Sequence, residues 1–449
     1  MITKNKISES GTDLLNKLQN EKSRLIRERI ILDKKDNHSY PIENPPFEIP
    51  DKWIWCYLSD VSIIQEGPGI RKHQYTEEGI QFLTVTNILE DAIDLEKSRK
   101  FISKSDYQKS YTHFKINKGD IVTACSGGSW GKSAIFELTD EIILNTSTLR
   151  LRFFNDICEN RYLYYLTKTE FFKASLNIHV TGQQPNYGYS HFSKIPIPLP
   201  PLDEQKRIVE ILDKAFAAID KAKANAEQNL KNAKELFESY LEGVFSKKGE
   251  GWEHIRLGDI CQINDGTHFS PSNNLEGKFM YITAKNIKPY SIDLSKISYV
   301  SEKDHKEIYS RCSPRFGDVL YIKDGATAGV ATINTIEEEF SMLSSVALLK
   351  CSERILNSFL VYYMNSPIGK KNFLGYVDGA AITRLTLLKI KNVSFSIPGV
   401  EKQHAIVKQF DRLRKEAKLL SELYEKKIEY LEELKKSISK QAFSGELLL

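Results

Sequence analysis

The 449-residue chain contains no apolar run approaching the ~18 residues that a bilayer-crossing helix needs. Its opening, MITKNKISES, has no apolar stretch of the kind found in a signal peptide. Together these point to a cytoplasmic protein without membrane contact. Cysteine is sparse: Cys56, Cys125, Cys158, Cys261, Cys312 and Cys351 are scattered, with no CxxC pair and no histidine at metal-ligand spacing. That argues for reduced thiols and against a zinc site. Charge of one sign is also lacking, since 63 basic residues against 59 acidic leave only +4. So small an excess does not by itself argue for nucleic acid. No nucleophile–base pair or carboxylate cluster stands at a motif spacing, so neither a catalytic site nor a cofactor is expected.

Two strings imitate known chemistry. NPPF at 44–47 matches the Asn-Pro-Pro-aromatic signature of amino-methyltransferases, but it lies in the proline-rich SYPIENPPFEIPDKW with no Gly-rich loop before it. It reads as linker. SGGSWGKS at 126–133 approaches the phosphate-loop pattern GxxxxGK[ST], yet Ser126 stands where the first glycine belongs. It reads as a turn between strands.

What the chain does have is a second copy of itself, the first thing to look for in a sequence too long for one core. GDIVTACSGGSWGKSAI (119–135) lies over GDVLYIKDGATAGVATI (317–333) at an offset of 198. Nearer the start the offset is 199, with Leu58/Leu257, Asp60/Asp259, Asn87/Asn286 and the two IDL strings at 93–95 and 292–294. IPLPPLDEQKRIVEIL (197–212) is answered by SIPGVEKQHAIVKQF (396–410), and Phe245-Ser246 by Phe443-Ser444. Collinear matches with so little drift mean a tandem duplication. In each copy, short β-branched and aromatic runs among Gly and Pro turns read as α+β. A stretch almost free of Gly and Pro follows and reads as one long helix. The expected layout is an N-terminal helix and linker (1–50), a first globular domain (51–202), a first helical spacer (203–249), a second globular domain (250–400) and a second spacer (401–449).

Both spacers carry a heptad. Stepping four and three from Ile208 gives Leu212, Ala215, Ile219, Ala222, Ala226, Asn229, Ala233, Leu236 and Tyr240; the second copy gives Ile406, Phe410, Leu413, Ala417, Leu420, Tyr424, Lys427, Leu431, Leu434 and Ile438. The polar exception falls at the same place in both. A 3.5-residue period held this long predicts a coiled-coil seam. The expected arrangement is an antiparallel coiled coil with pseudo-twofold symmetry. Forty helical residues span ~60 Å, a rod suited to a target made of two short sequences and a gap. The amphipathic stretch 14–31 has no counterpart before the second domain and reads as a helix docking beside the spacers.

The sequence resembles the specificity subunits of Type I restriction–modification enzymes. The resemblance is carried by EIPDKWIWCYLSDV (48–61), GWEHIRLGDICQINDGTHFSP (251–271), IPLPPLDEQKRIVEIL (197–212) and QAFSGEL (441–447), and it covers nearly the whole chain. It implies a non-catalytic subunit with two target-recognition domains alternating with two helical spacers, each domain reading one half of a split site on double-stranded DNA. Implied partners are methyltransferase subunits, two of them, and restriction/translocase subunits. The alternative is a coiled-coil scaffold joining two protein-binding modules without DNA sequence specificity. One departure is SIPGVEKQ, a weaker form of PLPPLDEQ, so the methyltransferase contact is expected to differ between the two copies.

Positions that align but differ in chemistry are the candidates for reading bases. After the first strand, Arg71, Lys72 and Gln74 face Thr267 and His268, just beyond an acid–Gly pair (Glu66-Gly67, Asp265-Gly266) that reads as turn chemistry. Arg and Lys suit guanine O6/N7 and Gln suits adenine N6/N7, although any of them also suits phosphate. A second loop offers Gln183, Gln184, Asn186 and Tyr187, answered by Arg384. Lys132, Lys285 and Lys323 flank the turn and strand segments as candidate phosphate anchors.

Overall fold

A computed structural model describes residues 10–28, 31, 34, 38, 40–154, 158–178, 186–247, 249–375 and 385–448. It divides into two compact units, Met1–Lys223 with Glu429–Leu449, and Ala224–Ile428. Each long helix, Leu202–Ser246 and Val400–Ser444, is continuous and contributes to both units. At 1.5 Å per residue, their 45 residues run about 67 Å.

The first unit is built on an antiparallel sheet whose strands lie in the order Ser62–Glu66, Thr148–Phe153, Ile121–Ala124 and Ser133–Ile135. The second unit repeats it as Cys261–Asp265, Val346–Cys351, Val319–Ile322 and Ala331–Ile333. The sequence TLRLRF at 148–153 shows why such a run becomes a strand. Leu149, Leu151 and Phe153 are buried, while the alternate Arg150 and Arg152 both reach Asp120, at 3.3 and 2.9 Å. In the second unit Lys350 reaches the matching Asp318 at 2.6 Å. SGGSWGKS is the expected strand-to-strand turn, and its glycines explain themselves. Gly131 and its counterpart Gly329 sit at φ +79° and +98°, where a side chain is strained.

The residues that matched between the copies are largely hydrogen-bond ties. Asn87 accepts from Thr84 N (2.9 Å) and donates to Asp94 O (2.9 Å); Asn286 accepts from Thr283 N (3.0 Å) and donates to Asp293 O (3.1 Å). In each unit the first strand of the domain pairs with the last, Ile54–Tyr57 with Pro196–Leu199 and Glu253–Arg256 with Ser394–Ile397. This brings the two chain ends of the domain together where the long helix begins. A fully buried glutamine stands there in both copies. Gln205 accepts from Glu159 N (3.0 Å) and donates to Pro200 O (2.9 Å). Gln403 accepts from Leu356 N (2.8 Å) and donates to Arg354 O (3.0 Å) and Pro398 O (2.8 Å). The join differs beside it: Glu204 accepts from Trp53 Nε1 at 2.6 Å, whereas Lys402 donates to Glu250 O at 3.4 Å.

The two long helices pair antiparallel. In the first unit Asp220 meets Lys435 (3.0 Å) and Lys223 meets Glu432 (2.6 Å), the numbers falling on one helix as they rise on the other. In the second unit the rings of Phe245 and Phe410 lie 5.5 Å apart and Tyr240 Oη donates to Gln409 at 2.9 Å. The heptad is present, but half of it is one residue out of step with the expected seam. Leu212, Ile219, Ala226 and Ala233 are buried as expected, as is Phe410. The intervening positions are Phe216, Leu230 and Phe237 rather than Ala215, Asn229 and Leu236, with Leu236 68% exposed. On the second helix Leu420 and Leu434 are exposed, while Ser421, Ile428 and Lys435 turn inward. Steps of four-three and three-four share every seventh residue, and burying Phe216, Leu230 and Phe237 outweighs burying Ala215, Asn229 and Leu236. Asn229 and Lys427 therefore lie beside the seam, exposed to water.

The N-terminal helix, Gly11–Arg27, is capped by Ser10 and buries Leu14, Leu15, Leu18 and Leu25. It docks on the start of the first domain, where Lys22 donates to Ser59 O at 2.7 Å and Gly11 N to Lys52 O at 2.8 Å, and its leucines belong to one core with Ile208 and Leu212 of the first spacer and Phe443 of the second.

Replacing Gln403 by Leu leaves buried backbone groups without partners, and we expect a loss of roughly 1–3 kcal/mol in urea unfolding. Leu236→Ala, at an exposed position, changes stability by less than about 0.5 kcal/mol. Equal effects of the two would contradict both the tie and the observed seam.

Candidate nucleic-acid interface

Antiparallel pairing carries several connections to one end of each four-stranded sheet. In the first unit Glu66, Thr148, Ala124 and Ser133 finish together, so residues 67–74, 125–132 and 145–147 leave from the same edge. The segment beginning at Asn186 joins them: Asn186 bridges Ser126, Tyr187 N donates to Cys125 O at 2.9 Å, and Tyr189 N donates to the Glu66 carboxylate. The second unit repeats the edge with residues 266–275, 323–330 and 343–345. There Thr267 bridges Leu343, and Leu385 N donates to Lys323 O at 3.0 Å.

The acid–Gly pair that opens each edge is more than a turn. A side chain on Gly67 would stand 2.0 Å from Asn145 O, and one on Gly266 would stand 1.9 Å from Met342 O. Glycine is required because another backbone passes directly against it. The acid then organises the edge. Asp265 is 3% exposed and receives Lys323 Nζ at 3.3 Å, Arg311 Nη2 at 3.1 Å and His268 Nε2 at 3.3 Å. One carboxylate thus gathers a lysine, an arginine and a histidine. Arg311 and His268 carry the cluster to the surface.

The structure sorts the expected residues. In the first unit Arg71 and Lys72 are exposed on the loop after Glu66 and make no ion pair among the described residues. Gln74 is occupied: its Oε1 accepts from Arg71 N (2.9 Å) and its Nε2 donates to Tyr111 Oη (2.9 Å), so it holds the loop's shape. Lys132 is half-buried on the turn that Asn186 bridges, and Asn186 is exposed. Tyr187 is buried, its ring 5.2 Å from Trp130 and its hydroxyl donating to Asn177 at 3.2 Å. The aromatic ring fills the core instead of meeting a groove.

In the second unit Thr267 is buried in the bridge and His268 is exposed beside it. Lys323 is 2% exposed, so it is a buried partner of Asp265 and not a surface phosphate anchor. Lys285 lies exposed on the turn after strand Phe279–Ile282. Gln183, Gln184 and Arg384 fall outside the described residues. Arg311, the last residue of helix Glu302–Arg311, was missed because only the fold carries it to Asp265.

The duplicated architecture is shared with known proteins. The model of the Type I restriction modification DNA specificity domain matches residues 50–231 and again residues 249–430. The chain belongs to that family. It is similar to the Type I restriction enzyme MjaVIII specificity subunit of Methanocaldococcus jannaschii, 25% identical over 419 residues, which are 89% of this chain and 94% of that one. The StySPI specificity subunit of Salmonella potsdam is 25% identical over 435 residues, covering 89% and 90%. Among solved structures, the HsdS subunit from Thermoanaerobacter tengcongensis aligns with a TM-score of 0.59 at 21% identity, covering 90% of this chain and 99% of that one. A chain solved in work on assembly and conformational transition of the type I R-M system gives 0.73, again at 21% identity, over 90% and 100%. The protein is a specificity subunit, a DNA-recognition component and not itself an enzyme. Its tandem α+β domains, each followed by a long helix, carry the family fold, and among the described residues no helix is long and apolar enough to cross a membrane.

In this specificity subunit Asp265→Ala strands Lys323 as a buried unpaired charge, and we expect a loss of about 3–5 kcal/mol. Lys323→Met costs less, because Arg311 and His268 still face Asp265. The double variant should recover part of the loss in thermal unfolding. Additive losses would show that the two residues do not act as a pair.

Proposed function

We propose that each sheet edge reads one half of a split double-stranded DNA site. The observation that carries this reading is one edge built twice on matched ties but furnished differently: Arg71, Lys72, Lys132 and Asn186 in the first unit, His268 and Arg311 in the second. A shared scaffold with different polar groups is what two different half-sites require, since side chains at base edges specify while backbone contacts only position. The modest net charge fits a reader that binds DNA together with partners, here two methyltransferase subunits, joined by restriction/translocase subunits. The spacer helices serve as the ruler for the gap.

In the complex with a methyltransferase, Arg71→Ala should alter base preference in one half-site and His268→Ala in the other, by ~1–3 kcal/mol per wrong base pair. Selection from randomised duplexes reads this directly. Loss spread evenly over all sequences would mark phosphate contacts instead, and a change in both half-sites from one substitution would contradict the division of labour. Removing seven residues from both long helices keeps the phase of the seam and should shorten the preferred gap with both half-sites unchanged. An unaltered gap would refute the ruler.

A further inference from the structure

The second unit holds a pocket of about 390 Å³ beside its reading edge. Ser270 and Asn273 line it from the loop after Asp265, Tyr281 from the neighbouring strand and Ser345 from the connection at 343–345. That connection is part of the edge itself: Lys323 N donates to Ser345 O at 2.9 Å and Ser344 N to Thr267 O at 2.8 Å. The charged residues lining the pocket are Lys285 and Lys296, both exposed, and no carboxylate lines it.

Two of the lining residues carry unusual hydroxyls. Tyr281 Oη and Ser345 Oγ are buried and have no hydrogen-bond partner among the described residues. Tyr281 is 3% exposed, and burial pushes its pKa up to about 12, so it keeps its proton at neutral pH. Buried hydroxyls without partners are rare in folded proteins and mark places where another group completes the set. Two ammonium groups with two hydroxyl donors and no carboxylate suit a phosphate. Among the described residues the first unit differs at both hydroxyls. Phe82 stands where Tyr281 does, with its ring 5.1 Å from Tyr75, and Ser147, in the place of Ser345, donates to Asn145 Oδ1 at 2.8 Å.

We propose that this pocket binds a backbone phosphate of DNA at the second half-site, anchoring that half-site in a way the first unit does not. The proposal rests on the reading of the second unit as a DNA reader.

The test uses the full chain in complex with a methyltransferase and duplexes carrying one neutral methylphosphonate linkage at a time through the second half-site and its flanks. At one linkage the substitution should weaken wild-type binding roughly tenfold, and it should do nothing further to the Lys285→Ala/Lys296→Ala variant. That variant should also lose salt dependence, its slope of log K against log salt shallower by ~1–2, with base preference intact. Tyr281→Phe, which keeps the ring packing, should show a reduced penalty at the same linkage. Equal penalties in wild type and variant at every linkage would overturn the proposal. So would millimolar inorganic phosphate raising the thermal midpoint of wild type but not of the variant with no linkage standing out, since the pocket would then take free phosphate. Absence of any sequence preference in the wild-type complex would instead defeat the DNA reading on which the proposal stands.

Discussion

The structure depends most on a buried amide. Where each globular domain ends and its helix begins, Gln205 or Gln403 satisfies backbone groups of two separate segments, with one bond of each set, to Pro200 O or Pro398 O, fully buried. Leaving such groups unpaired is costly, so each domain and the start of its helix are held as one body. The first-to-last strand pairing beneath them closes the domain at the same point. Much else can then vary. The second copy replaces PLPPLDE by SIPGVEK around the glutamine, and the join survives because the glutamine's partners are main-chain atoms.

The same economy governs the two sheet edges proposed to read DNA. Glycine at 67 and 266 is dictated by a backbone passing within contact distance, and the acid beside it meets a local need. In the first unit Glu66 caps the backbone at Tyr189; in the second Asp265 gathers Lys323, Arg311 and His268. A fixed frame with variable furniture lets a duplicated domain diverge in what it recognises without refolding. Lys323 shows the cost of reading such furniture too literally: it is basic and next to the edge, yet its charge is consumed inside the protein.

Much of this was legible in the sequence, because a duplicated chain compares itself with itself. Residues matched at offsets of 198 and 199 turned out to be ties such as Asn87/Asn286 and Gln205/Gln403 or turn glycines such as Gly131/Gly329. The long helices and their heptad were plain for the same reason. The phase was not, since alanine-rich positions fit either stepping and only the bulk of Phe216 and Phe237 decides. Site residues were harder. Tyr187 and Gln74 have side chains suited to bases but spend them on the core and on the loop. Arg311 and Tyr281 lie far from any motif and reach the edge only through the fold. The N-terminal helix was recognisable by its leucines, while its docking place was set by contacts such as Lys22 to Ser59 O, which no periodicity reveals.

The central claim is that one chain reads two half-sites across a fixed gap. Co-expressing it with a cognate methyltransferase subunit and mapping modified bases across the host genome tests this most directly. The account predicts a split motif with constant spacing that disappears when this chain is withheld. A continuous motif, or no chain-dependent modification from a complex shown to assemble, would contradict it.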